Sequence, residues 1–228
     1  MRLAVFGATG GAGREFTKRA TAEGHEIRAL TRSTGRLSTD DAIVAVEGNV
    51  LVPENVSETV TDADAVVCLL GRTGDNPRDV VSSGTENILT AMNEQGVNRL
   101  VALTSMGLGA SVRQVPWYVR LANATVLHDL MVDKARQEEL VAGSDVKWTI
   151  VRPGGLTDGP PTGEFVHGVD VDATAGPISR ADVAAFLLQV VQTDAYVREM
   201  PVVTTEQGVD AAFLWEQATA ITRRLSGR

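Results

Sequence analysis

The chain has 228 residues, a formal net charge of −8, 43% hydrophobic and 22% charged residues. That balance fits one soluble α/β domain with a sizeable core rather than a disordered chain. The acidic excess argues against nucleic acid as a partner, since phosphate binding needs clustered Lys and Arg. The longest apolar runs are strand-sized, far below the roughly twenty residues that cross a bilayer, so no membrane partner is expected.

From the N-terminus to about residue 205, short β-rich runs alternate with helix-sized segments. This is the pattern of a Rossmann-type, doubly wound parallel sheet with helices on both faces, here a single NAD(P)-binding domain over 1–228. The chain enters its first apolar run at Leu3 without a basic leader or cleavage-site pattern, so a cytoplasmic location is expected. The first strand spans Leu3–Phe6, followed by a glycine turn and a helix through Glu23 that Gly24 ends. Strands follow at Glu26–Thr31, Ile43–Val46 and Ala65–Leu70. The last of these holds Cys68, the only cysteine. It excludes an intrachain disulfide, fits a reducing compartment, and reads as an inert core thiol. A helix closes near Gly96, before a fifth strand at Asn98–Leu103. A long helix at Thr125–Val141 carries Leu127, Leu130, Met131, Ala135 and Leu140 at roughly helical spacing. The sixth strand is Trp148–Val151. Residues 106–124 and 153–178 are expected to be substrate-side loops, the latter rich in Pro and Gly. Ser179 then caps a helix with Asp182 at N3, and a strand at Pro201–Thr204 and a C-terminal helix complete the domain.

Chemistry concentrates first in Gly7-Ala8-Thr9-Gly10-Gly11-Ala12-Gly13, placed between the first strand and first helix. Glycines there allow a tight turn and let backbone N–H groups approach a pyrophosphate, which the helix N-terminus stabilises. At the end of the second strand, NAD-selective sites place an acidic residue for the ribose hydroxyls. Here the strand ends Thr31-Arg32-Ser33. Arg32 cannot accept those bonds but can pair with a 2′-phosphate, with Ser33 or Arg36 as further donors, so NADP(H) is the expected cofactor. The plainer reading of Arg32 is a solvated surface arginine. His25, His128 and His167 show no metal-ligand spacing, and no metal is expected.

The GxxGxxG spacing differs from the GxGxxG dehydrogenase fingerprint and resembles the extended and atypical short-chain dehydrogenase/reductases. Thr104-Ser105, Lys134, Trp148-Thr149-Ile150-Val151-Arg152-Pro153-Gly154 and Ile178-Ser179-Arg180-Ala181-Asp182-Val183-Ala184 are similar to the NAD(P)H-binding atypical members. That group includes NmrA-like proteins and flavin/biliverdin-IXβ reductases. The resemblance implies that Asn49 and Val50 flank the adenine, with Asn49 replacing the usual Asp. It implies that the backbone of Leu70, Gly71 and Arg72 lies along the cofactor, with Thr104 at the end of the fifth strand beside it. It further implies that Pro153, Gly154 and Gly155 border the nicotinamide carboxamide.

Catalysis in the classical family rests on a serine, a tyrosine and a lysine four residues beyond the tyrosine. Ser105 and Lys134 match, but Leu130 stands where the tyrosine would be and has no proton to give. Lys134 would donate to the nicotinamide ribose and Ser105 to substrate or nicotinamide; a solvated helix lysine and a capping serine are the plainer alternatives. His128 and Tyr118 lie near the expected pocket, and Trp117 and Tyr118 either line a planar acceptor or simply pack. The leading expectation is an NADPH-dependent reductase passing hydride to a small-molecule conjugated acceptor: a flavin, quinone or tetrapyrrole. The alternative is an NmrA-like redox sensor without turnover; a sugar-nucleotide epimerase or dehydratase is disfavoured by the missing tyrosine.

Overall fold

The computed structural model describes residues 1–37, 40–74 and 76–205. In chain order these form β1 (Arg2–Phe6), α1 (Gly11–Ala22), β2 (Glu26–Thr31), β3 (Ile43–Glu47), α2 (Pro53–Val60), β4 (Ala65–Cys68), α3 (Val80–Gln95) and β5 (Arg99–Leu103). The second half holds α4 (Trp117–Ala124), α5 (His128–Ala142), β6 (Lys147–Pro153), β7 (Gly155–Thr157), β8 (Val166–Gly168), β9 (Pro177–Ser179), α6 (Arg180–Thr193) and β10 (Val202–Thr204).

Eight strands make one sheet in the order β3-β2-β1-β4-β5-β6-β10-β8, parallel except where β8 meets β10. The central strands are covered on both faces, which is why Ala65–Cys68 and Arg99–Leu103 are buried throughout and read as near-continuous apolar runs. One face packs under α1 and α6 around Phe16, Phe186 and Leu187. The other packs under α2, α3 and α5 around Val56, Ile88 and Met92. Strand order reverses between β1 and β4. A crevice at the carboxyl ends of those two strands is where such sheets hold their ligands.

Several expectations are corrected. The fourth strand ends at Cys68, not Leu70; Leu69 still donates its N–H to the Phe6 carbonyl at 2.8 Å, but Leu70 and Gly71 leave the ladder. Residues 117–124, expected to be loop, form α4, a helix with no buried residue whose large apolar side chains Trp117 and Leu121 stay exposed. The next helix begins at His128 rather than Thr125, and its buried face is Met131, Asp133, Lys134, Gln137, Glu138 and Val141, far more polar than the expected leucine stripe. The 153–178 segment contains β7, β8 and β9, with β7 and β9 paired in parallel. The expected C-terminal helix lies outside the described residues.

Candidate functional site

Gly7 follows β1 with φ of 89°, a conformation costly to residues with a Cβ, and a side chain there would overlap the Leu69 carbonyl. A Cβ on Gly13 would strike the Gly7 carbonyl and approach the Ala8 Cα to 2.7 Å. These two close approaches let α1 start directly over the switch point, with Ala8 and Ala12 buried beneath the turn and Thr9 half-buried. Gly10 is the exposed N-cap: its N–H donates to Gly7 (3.0 Å), its carbonyl accepts from Arg14 (2.9 Å), and no side chain caps the helix. With no acidic residue in the first turn either, the positive end of α1 is available to an anion. The cradle fits a dinucleotide diphosphate.

At the end of β2, Arg32 is exposed and reaches across the crevice. It donates to the Asn76 side-chain oxygen at 2.7 Å and to the Thr73 hydroxyl at 3.4 Å. Ser33 is exposed beside it, its backbone tied to the Thr31 hydroxyl, and Arg36 is exposed on the short turn Thr34–Arg36. Val50 is buried. Asn49 is exposed, and its side-chain oxygen accepts the Leu51 N–H at 3.1 Å, closing the turn into α2. Leu70 and Arg72 are half-buried and Gly71 exposed along the segment after β4. Among the described residues the buried Arg72 Nε has no hydrogen-bond partner, while its terminal nitrogen lies 3.8 Å from Asp129.

Beyond β5 the arrangement is denser than the sequence suggests. Lys134 is buried and donates to the Leu103 carbonyl at 3.1 Å; burial holds its ammonium below the usual lysine range, against the pull of Cys68, Asp133 and Glu138. Thr104, expected to face the cofactor, is instead buried and donates to Glu138 at 2.7 Å. Glu138 takes a two-pronged pair from Arg152 at 2.9 and 2.7 Å, and Thr104 satisfies a lone pair of the same carboxylate. Ser105 is half-buried, its hydroxyl resting on the Met106 carbonyl at 3.0 Å. Pro153 accepts from the Met106 N–H, Gly154 has no room for a side chain against Gly176 and Thr204, and Gly155 opens β7. Burial pushes the Cys68 thiol up, in keeping with a core residue.

Two residues past Ser105 begins a wide groove of about 690 Å³, lined among others by Gly107, Trp117, Leu121, His128, Met131 and Val132. Trp117, Leu121 and Val132 are exposed there. His128 is itself exposed and sits 3.5 Å from Asp129. His167 packs on Phe186 and meets the Tyr196 hydroxyl at 2.8 Å, and His25 meets Gln192; among the described residues no group of side chains could hold a metal ion. No helix among the described residues is long and apolar enough to cross a membrane.

A family model described as NAD(P)H-binding matches residues 7–194. The chain belongs to the NAD(P)H-binding family. It is 32% identical over 196 residues to an uncharacterized chloroplastic protein of Arabidopsis thaliana, covering 80% of this chain and 69% of that one. It is 26% identical to the photosystem II assembly factor Ycf39 of Synechocystis, over 87% of this chain and 61% of that protein. Among solved structures, the anaerobilin reductase ChuY of Escherichia coli O157:H7 superposes with a TM-score of 0.79 at 22% identity, over 92% of this chain and all of that one. The shared fold is a Rossmann-like α/β sheet flanked by helices.

For this NAD(P)H-binding chain, sequence reasoning missed Asp133 and the placement of Arg180. Asp133, on α5, accepts the Val81 and Ser82 N–H groups at 3.0 and 2.9 Å and so caps α3 from a neighbouring helix. Nothing local signals it, since donor and acceptor are about fifty residues apart. Arg180 was visible only as part of a motif; it lies directly against Gly11.

Proposed function

We propose that this protein is a cytoplasmic NADPH-dependent reductase that delivers hydride to a conjugated small-molecule acceptor, a flavin, quinone or tetrapyrrole. The observation that carries the proposal is the pairing of the apolar groove with the residue four before Lys134. That residue, Leu130, supplies no proton, and the groove offers exposed Trp117 and Leu121 as a flat apolar surface. Bound nicotinamide would supply the hydride. Gly10–Gly13 and the start of α1 would hold the diphosphate, and Arg32 would trade its neutral partners Asn76 and Thr73 for a 2′-phosphate. Lys134, bonded to the Leu103 carbonyl, would donate a further hydrogen bond to the nicotinamide ribose, and Ser105 would orient the acceptor by exchanging its local bond to Met106. The likeness to a protein called an anaerobilin reductase supports a conjugated acceptor. The test is NADPH oxidation by purified protein against flavins, quinones, biliverdin and simple ketones. Steady consumption with a conjugated acceptor is expected; tight NADPH binding with no turnover on any acceptor would favour a dinucleotide sensor, a reading supported by the likeness to an assembly factor.

A further inference from the structure

Between Glu94 and Asp129 the chain carries no Asp or Glu, although it has 29 of them and a net charge of −8. That acid-free stretch builds much of the groove, and Arg120 lines it with Trp117, Leu121 and His128. A second hollow, lined by Gly109, Ala110 and Arg113, shares Val112 and Arg120 with the groove, so the two run together. Both arginines are exposed, and among the described residues neither has a hydrogen bond or an ion pair. The turn that bears Arg113 is nonetheless held. Ser111 accepts the Gly107 N–H at 3.0 Å and donates to the Leu108 carbonyl at 2.7 Å, and Gln114 donates to the Val171 carbonyl at 2.7 Å. Asp129, the acid next to His128, is already engaged by Arg78 at 3.2 Å, His128 at 3.5 Å and Arg72 at 3.8 Å.

We propose that the groove takes an anionic conjugated acceptor, whose apolar plane lies along Trp117 and Leu121 and whose carboxylate or phosphate is held by Arg113 and Arg120. The proposal rests on the reductase reading above and narrows its acceptors. A neutral quinone would leave both guanidiniums idle, whereas the propionates of a linear tetrapyrrole or the phosphate of flavin mononucleotide would engage them. A guanidinium offers a planar fork of donors that matches either anion, and apolar surface beside it keeps water from competing on one side. An acidic protein repels anions at long range, and salt screens that repulsion beyond about 10 Å. Close to the groove the balance is reversed, because two unpaired arginines stand there without a carboxylate partner. The volume of about 690 Å³ suits a small planar ligand.

The experiment uses matched pairs that differ in charge: biliverdin against its dimethyl ester, and flavin mononucleotide against riboflavin. Binding to the full chain is read by quenching of tryptophan fluorescence, and turnover separately by NADPH oxidation. In at least one pair the anion is expected to bind about tenfold more tightly than its neutral counterpart, with the gap closing as salt rises. Arg113→Ser and Arg120→Ser, both at exposed positions, should each weaken that anion about three- to tenfold and leave the neutral counterpart unchanged. Arg2→Ser, which removes the same charge at the amino end of β1, should change neither. Equal binding of both members in both pairs, equal losses for both members in the arginine variants, or no binding of any of the four overturns the proposal. Anion-selective binding without NADPH oxidation fails the reductase reading and leaves the ligand assignment standing. Turnover of the neutral members alone does the reverse.

Discussion

The Arg32 guanidinium donates to the Asn76 side-chain oxygen at 2.7 Å, joining the end of β2 to the segment after β4 across the mouth of the crevice. Both partners of Arg32 there, Asn76 and Thr73, are neutral acceptors. A 2′-phosphate is a stronger one, and a hydrogen bond to a charged group contributes about 1.5–3 kcal/mol. Arg32→Ala should therefore weaken NADPH by roughly ten- to hundredfold and NADH little. Asn76→Ala should leave the NADPH preference intact, because Asn76 only parks the arginine. Equal losses for both nucleotides in Arg32→Ala would remove Arg32 from cofactor selection.

Gly10 and Gly13 are expected to fail differently. A Cβ on Gly10 would sit 3.3 Å from the Gly7 carbonyl, tight but outward-facing, whereas one on Gly13 would overlap the Gly7 carbonyl itself. Gly10→Val should fold and lose dinucleotide binding, since its branched side chain intrudes where the diphosphate approaches. Gly13→Val should also lower the melting temperature, because α1 must move off the turn. Thermal denaturation and NADPH titration on the same samples separate the two; normal binding by Gly10→Val would move the phosphate site elsewhere.

What the sequence made legible were the contacts that repeat along one element. The parallel strands announced themselves because both faces are buried, and the glycine turn because strand, motif and helix are contiguous. Ser179 and Asp182 were readable as a local cap, and the structure adds that Asp182 tethers Thr162 and Gly163. Those bonds, with that of the Ser179 hydroxyl, hold its carboxyl below the usual range although burial pushes the other way. The inward face of α5 was not legible. Its polar side chains are buried because each finds a partner far away in sequence: Asp133 on α3, Lys134 on Leu103, Gln137 on Thr85, and Glu138 on Arg152. Hydrophobic periodicity cannot register a polar residue whose burial is compensated from another element.

The Glu138–Arg152 pair should be the most sensitive of these. Both side chains are under 9% exposed, so Glu138→Ala leaves a buried guanidinium without its carboxylate and the Thr104 hydroxyl without its acceptor. Removing one partner of a buried pair costs about 3–5 kcal/mol. Chemical denaturation of Glu138→Ala should show a loss of that size, and Thr104→Val a much smaller one. A loss for Glu138→Ala below about 1 kcal/mol, the surface-pair range, would mean the pair is solvated in solution.

The missing acid makes the last prediction, and it follows from where negative charge goes once hydride arrives. Reducing an isolated ketone creates an alkoxide that must be protonated or stabilised as it forms, and a positioned acid contributes about 10²–10⁴-fold in rate. Leu130 cannot do this, and Lys134 is buried with a bond to the Leu103 carbonyl. A flavin, quinone or linear tetrapyrrole spreads the charge over a conjugated system, so solvent can deliver the proton later and the protein need only align the two planes. Ser105, with its hydroxyl resting on the Met106 carbonyl, then acts in orientation. Ser105→Ala should lower turnover several-fold on a conjugated acceptor without abolishing it, and the unmodified protein should be nearly inactive on aliphatic ketones. Leu130→Tyr, which restores the serine, tyrosine and lysine set, is expected to raise ketone reduction from that low base. Robust ketone reduction by the unmodified protein would instead place an acid in the groove, with His128 the first residue to replace, because it lines that surface and is open to solvent.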